Sequence, residues 1–263
     1  MNTQLVTSSR AFSRSPARRA LALCALFAAA AAIPSAAPAQ TTGASANAAT
    51  PQQSYVGRYD IFAGYTDLNS PHVGLNESGF HIQAGINPRR WLAGGVDYSS
   101  SNGSLVLTPS LLPLALQTQI AGALGQLKAA GIIPPTYVLT VPTDSYTQTF
   151  AAGPQLMFRH YPKATFFLRP SVGAIRERAT PRATNAVALL FAQQLAPAGY
   201  KVDWTGFYGV GFGADIAITK HFGLRPQMDY VYDHLFNDLL RDGRETFRFS
   251  IGPSFHFGKN VAR

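Results

Sequence analysis

Thr246-Phe247-Arg248-Phe249-Ser250-Ile251-Gly252-Pro253-Ser254-Phe255-His256-Phe257 is the stretch that decides how this chain folds. Side chains of a strand point alternately to opposite faces, so Phe247, Phe249, Ile251, Pro253, Phe255 and Phe257 share one face. Thr246, Arg248, Ser250, Gly252, Ser254 and His256 share the other. An ordinary sandwich core would bury Arg248 and His256 on the wrong side. One face must therefore meet lipid or a core, and the other a polar interior.

Outward from that stretch the same split recurs, and the recurrence carries the inference because one such segment is a weak signal. Phe222, Leu224, Pro226, Met228, Tyr230 and Tyr232 oppose Gly223, Arg225, Gln227 and Asp229. Tyr208, Val210, Phe212, Ala214 and Ile216 alternate with Gly209, Gly211, Gly213 and Asp215. Phe166, Leu168, Pro170 and Val172 oppose Arg169, Ser171 and Gly173, while Phe150, Ala152, Pro154, Leu156 and Phe158 oppose Ala151, Gly153, Gln155 and Arg159. Towards the start, Val96 and Tyr98 flank Asp97, and Phe80, Ile82, Ala84 and Ile86 oppose His81, Gln83 and Gly85. Tyr59, Ile61, Ala63 and Tyr65 oppose Arg58, Asp60 and Gly64, with Phe62 as the misfit. These segments predict eight strands.

The connections between them alternate in length. Asn87 to Arg90, Pro162 to Thr165 and Thr219 to His221 read as tight turns. Asp67 to Gly79, Ser99 to Ser145, Arg176 to Asp203 and His234 to Glu245 read as long loops. Residues 40–263 contain no run of roughly 18 consecutive apolar residues, which excludes a helical membrane protein. Lipid can otherwise be crossed only by a closed barrel, in which every backbone group is paired between strands. The expected fold is all-β: an eight-stranded antiparallel transmembrane up-and-down barrel, with short turns on the periplasmic side and long loops outside.

Residues 1–39 read as a cleaved signal peptide. Arg10, Arg14, Arg18 and Arg19 precede an apolar run from Ala20 to Ile33 and a small-residue site at Ala37-Pro38-Ala39. Cys24 is the only cysteine, and Leu23 before it does not suit a lipobox. Cleavage leaves a thiol-free chain of about 220 residues, enough for one domain. The formal charge of +9 falls to +5, because four arginines leave with the leader. The remaining basic residues are scattered over strands and turns, so nucleic acid is not an expected partner. Residues 40–54 form a flexible polar lead-in, 55–258 the barrel and 259–263 a C-terminal tail.

Two of the long loops carry apolar residues at helical spacing. Leu112, Leu116, Ile120, Leu124 and Leu127 lie within Ser110 to Ala130, with Gly131 placed as a stop. Ala186 to Leu195 repeats the theme. Two arrangements are open: the short helices pack on each other at the outer mouth, or each covers the extension of its own strands.

Three phrases near the end resemble a known family. Gly211-Phe212-Gly213-Ala214-Asp215-Ile216, Thr219-Lys220-His221-Phe222-Gly223-Leu224-Arg225-Pro226-Gln227-Met228-Asp229-Tyr230, and the run from Phe247 to Gly258 are similar to eight-stranded outer-membrane barrels related to the OmpA transmembrane domain. The resemblance covers the last three strands, Trp204 to Phe257; upstream only the strand pattern is shared. It implies the fold, a place in the Gram-negative outer membrane, and recognition of the aromatic last strand by the barrel assembly machinery. It implies no particular activity. The family's last strand ends at Phe, whereas Gly258 to Arg263 follow here, and no cell-wall-anchoring domain is expected after them.

Inward positions hold Arg58, Arg159, Arg169, Arg225 and Arg248 against Asp60, Asp97, Asp215 and Asp229. Charges enclosed in a narrow barrel persist only when paired, so a structural ion network is the expected arrangement. Eight strands leave room for little beyond the barrel's own side chains. No nucleophile motif, phosphate loop or metal-ligand spacing occurs, and His72, His81, His160, His221, His234 and His256 are scattered. No catalytic, cofactor or metal residues are expected. The leading expectation is a structural or surface-interaction protein without catalytic activity, a monomer among outer-membrane lipid and lipopolysaccharide. A narrow porin-like channel and a lipid-modifying barrel enzyme are the alternatives.

Overall fold

The computed structural model describes residues 55–240 and 243–261. The expected signal peptide and lead-in lie outside the described residues. The eight strands are β1 (Gly57–Ser70), β2 (Leu75–Ile86), β3 (Leu92–Leu107), β4 (Val141–Phe158), β5 (Ala164–Pro181), β6 (Lys201–Ala217), β7 (Phe222–Asp233) and β8 (Arg244–Asn260). Each pairs with its neighbours in sequence, and β8 closes on β1. All of these pairings are antiparallel. The chain is an eight-stranded antiparallel up-and-down barrel.

Closure follows from the alternation. In β8, Thr246, Arg248, Ser250, Gly252 and Ser254 are buried, while Ile251, Pro253 and Phe255 are exposed. Phe62, which breaks the pattern in sequence, points inward with its ring 5.4 Å from that of His81. Inside the wall it fills space that small neighbours leave.

At one end the turns are short, as expected. At the other, the strands run further than sequence implies. Ser70 pairs with Leu75, so the connection between β1 and β2 is only residues 71–74, where a long loop was expected from Asp67 to Gly79. Gly74 supplies the positive φ of 66° that this tight turn needs. β3 likewise continues to Leu107 and β5 to Pro181, while at the short-turn end β8 passes Phe257 to reach Asn260, which lies opposite Gly57. The supposed tail therefore begins as strand: Asn260 Oδ1 accepts from Val56 N, and Val261 N donates to Val56 O.

Helix α1 (Leu114–Ala129) sits in the β3–β4 loop and α2 (Ala186–Leu195) in the β5–β6 loop. α1 ends where Gly131 takes φ 71°, with Gly131 N bonding Lys128 O and Ile132 N bonding Leu127 O. α2 starts at Asn185, whose side chain accepts from Ala188 N at 2.8 Å. The two open arrangements combine, because both helices share one apolar cluster with the extensions of the strands. Leu112, Ile120, Leu139 and Val141 form one buried cluster with Ala188 and Ala192. Tyr137 OH also donates to the capping Asn185, tying the two loops together. Among the described residues, no helix is long and apolar enough to cross a membrane.

Candidate functional site

The lumen is filled by charged side chains arranged in tiers. At the end with short turns, Arg225 from β7 lies between two carboxylates. Its Nη1 donates to Asp60 Oδ1 at 3.0 Å, while Nε and Nη2 both donate to Asp215 Oδ2 at 2.9 and 2.6 Å. Ser254 Oγ donates to Asp215 Oδ1, and His256 Nε2 approaches Oδ2 at 3.1 Å. Asn87 Nδ2 donates to Asp60 Oδ2, and Arg159 Nη2 donates to Asn87 Oδ1. The guanidinium of Arg225 is flanked by the rings of Phe62 and Phe167, at 5.9 and 5.6 Å.

Above that pair of rings the middle tier joins two arginines to two aspartates in a closed circuit. Arg169 donates to Asp97 Oδ2 at 2.9 Å and to Asp229 Oδ1 at 2.7 Å. Arg248 donates through Nε and Nη2 to Asp229 Oδ2 and through Nη2 to Asp97 Oδ1. Its Nη1 reaches Ser99 Oγ at 3.0 Å. His81 Nε2 lies 3.3 Å from Asp97, and its Nδ1 meets Gln227 and Ser250. Four formal charges cancel in this tier, which offsets the desolvation each would otherwise suffer.

The inward glycines make room for these carboxylates. A Cβ on Gly211 would meet Asp229 Oδ1 at 2.0 Å, and one on Gly223 would meet Asp215 Oδ1 at 2.4 Å. Neither position could carry a side chain without displacing an ion pair.

Of the expected network, Asp60, Arg159, Asp215 and Arg225 come together in the lower tier, and Asp97, Arg169, Asp229 and Arg248 in the middle one. Arg58 does not join them and lies exposed. The β1–β8 register shifts between Gly57 and Tyr59, so that Arg58 and Tyr59 in succession face outward. A bulge at a barrel rim re-aims a side chain in this way.

A third tier is absent from the sequence expectation. Arg244 Nη1 donates to Glu177 and Nε lies 3.4 Å from Asp233, while Ser145 bonds Glu177 and Thr147 bonds Glu77. Glu77 and Glu177 fall in stretches that read as loops, and only the extension of the strands brings them inside. Strand parity was the available signal: Glu77 shares its face with His81, Glu177 with Arg169, and Arg244 with Arg248. Beside this tier, Leu235 and Phe236 fold back from the β7–β8 loop onto Ala151, Ile175, Phe207 and Val231. Phe236 holds φ at 54°, outside the usual range for a residue with a Cβ, and its N–H donates to Asp203. An apolar cover thus sits over the ion pairs.

The outside is the converse. Trp91, Phe158, Tyr161, Phe166 and Phe222 ring one end of the wall, and Tyr65, Phe80, Phe150, Trp204 and Tyr208 ring the other; all are exposed. Ile82, Val96, Val172, Val210 and Ile251 lie exposed between the rings. A wall with charge inside, aliphatic side chains outside and aromatic girdles at both rims has the polarity of a barrel in hydrocarbon.

The chain is similar in fold to solved outer-membrane barrels. Neisserial surface protein A matches at 13% identity and TM-score 0.44, over 76% of this chain and 96% of that one. The attachment invasion locus protein Ail of Yersinia pestis matches at 14% identity and TM-score 0.42, over 77% and 99%. The outer membrane protein OprG of Pseudomonas aeruginosa matches at 8% identity and TM-score 0.42, over 79% and 99%. No protein-family model matches the sequence, and no curated protein matches it. The architecture rests on the strand pairing described above. Among the described residues, no group of three His, Cys, Asp or Glu side chains is placed to hold a metal ion.

Proposed function

We propose that this chain is an integral protein of the bacterial outer membrane, exported with a cleaved leader. Its role is structural or surface-interacting, its lumen is closed by its own side chains, and it has no catalytic activity. One observation carries the reading: polarity is inverted across a single layer of strands. Arg225 is 0% exposed inside the wall, while Tyr208 is 62% exposed outside it. In water the outer belt would be a continuous apolar surface around the wall, where a soluble monomer exposes patches of about a few hundred Å². In lipid it is the required surface. The girdled stretch of β4 from Phe150 to Phe158 also matches the roughly 9–11 residues a tilted strand needs to cross a bilayer.

The closed lumen favours this role over a pore. Arginines of the middle tier reach across the interior between β3, β5, β7 and β8, so a permeating ion would have to part buried pairs. It also favours a non-catalytic role over a lipid-modifying enzyme, because the buried acids of the lower and middle tiers are held by guanidinium groups rather than aimed at a nucleophile. The partners that follow are outer-membrane lipid, lipopolysaccharide and, during biogenesis, the barrel assembly machinery reading the aromatic strand β8. The protein acts as a monomer.

Fractionation with detergent gels tests the location: the folded protein is expected in the outer membrane, with migration that changes on heating. Recovery from the soluble periplasm overturns the proposal. Planar-bilayer recording tests the closed lumen, and silence is the expected result. Steady single-channel current would instead make the protein a narrow pore. An altered lipid A profile on deletion would favour the enzyme reading.

A further inference from the structure

The outer belt differs around its circumference. On β6, β7, β8 and β1 it is built largely of rings, among them Tyr208, Phe212, Tyr230, Phe249 and Tyr65. On β2 to β5 the girdle nearer the long loops ends in a ridge of Phe80, Tyr98 and Phe150, whose successive centroids lie 5.8 and 4.7 Å apart. Below that ridge the wall drops to Ala84, Val96, Ala152 and Val172, which are neighbours in the strand register. The drop leaves an open trough of about 530 Å³, with Ile61 and Ile82 along its far side. Val172 is 65% exposed there.

A polar rim lies directly above the ridge. Gln148 Nε2 donates to Tyr98 OH at 2.8 Å, and Arg176 Nη1 donates to Gln148 Oε1 at 2.8 Å. The guanidinium of Arg176 lies 5.8 Å from the Trp204 ring. Two residues further along the same face of β5, Arg178 lies 4.2 Å over the Tyr200 ring. Nearby acids are engaged elsewhere: Asp144 pairs with Arg182, and Glu177 points inward to Arg244. Arg176 and Arg178 therefore stand as two cations on one outward face, about 7 Å apart along the strand, with amide and aromatic neighbours.

We propose that trough and rim together form a binding site for an acylated phosphate ester from the outer leaflet, with an acyl chain in the trough and the phosphate on Arg176 and Arg178. This rests on the outer-membrane reading above and names a ligand for its surface. A flexible chain can fill a shallow, uneven trough and recover contacts that rigid side chains leave unmade. Guanidinium groups suit phosphate because their paired N–H donors match two of its oxygens. The order of the parts, apolar below and cationic above, is that of a lipid with its head towards the long loops.

Native mass spectrometry of the full-length folded barrel in detergent tests the site with three probes: a bis-phosphorylated acylated glucosamine disaccharide, the same lipid without phosphates, and the deacylated bis-phosphorylated sugar. The wild type is expected to prefer the first over each of the others by about tenfold, the weight of one or two charge-assisted hydrogen bonds or a buried chain segment. Combined Arg176→Gln and Arg178→Gln removes the preference for phosphate and leaves the dephosphorylated lipid unchanged. Ala152→Phe fills the trough and weakens both lipids; Val172→Phe repeats this at a more exposed position should Ala152→Phe not fold. Equal binding of the phosphorylated lipid by wild type and the arginine double variant overturns the proposal, as does equal binding of sugar and lipid. A barrel that folds yet stays out of vesicles would sink the membrane reading; one that inserts but ignores headgroup phosphate sinks only this site.

Discussion

The barrel wall and the loop head beyond it are built by opposite rules. In the wall, Arg169, Arg225 and Arg248 are buried, while Ile82, Val96 and Ile251 are exposed. In the head, Leu112, Ile120, Leu139 and Ala188 are buried, while Thr118, Gln119 and Gln126 are exposed. The change occurs beyond the girdle carrying Tyr65, Phe150 and Trp204. What counts as a core residue is thus set by the solvent outside. In hydrocarbon the outer face needs no covering, so the interior can be polar; in water the apolar side chains must be gathered inward.

The largest test of that contrast is Arg225→Met. It removes the guanidinium that bonds both Asp60 and Asp215 and is expected to cost about 3–5 kcal/mol in urea unfolding from vesicles. A cost near zero would mean that water enters the lower tier and solvates the aspartates. Next, Ile251→Arg places a charge on the lipid face near mid-height and is expected to cost about 2–4 kcal/mol. The same replacement at Leu114, exposed on α1, should stay within about 0.5 kcal/mol. Equal costs at the two positions would erase the distinction between wall and head.

Within the head, Ile120→Ala opens a cavity in the shared cluster and should lower its local stability by about 2 kcal/mol. Hydrogen exchange is the readout, and α1 and α2 are expected to lose protection together. Protection lost in α1 alone would show two independent loops. Asn185→Ala removes both the cap of α2 and the acceptor for Tyr137, for about 1 kcal/mol seen in the same measurement.

Period-two alternation made the barrel legible in sequence, because in each of these strands a two-sided solvent environment is written residue by residue. Arg248 beside Phe247 and Phe249 could not be misread. The lower and middle tiers were legible for the same reason. The third tier was not, because beyond the girdle the outward positions turn polar, as at Asn76, Gln148 and Arg178, and the contrast between faces fades. Asp67 to Gly79 then looks like loop although Ser70 and Leu75 are paired. Arg58 escaped for a different reason: a one-residue register shift leaves no trace in composition. The joint packing of α1 and α2 was undecidable from spacing, since Ile120 shows an apolar stripe without naming what covers it.

The ion pairs that fill the lumen link residues far apart along the chain: Arg225 and Asp60 are separated by 165 positions, and Arg248 and Asp97 by 151. Both bonds bring late strands against early ones. While the first and last strands stand apart, Arg225 and Arg248 keep their neighbouring-strand partners Asp215 and Asp229 but lack the bonds to Asp60 and Asp97. Sealing the seam between β1 and β8 therefore also completes the network inside, and the salt links at the centre help to hold the cylinder shut.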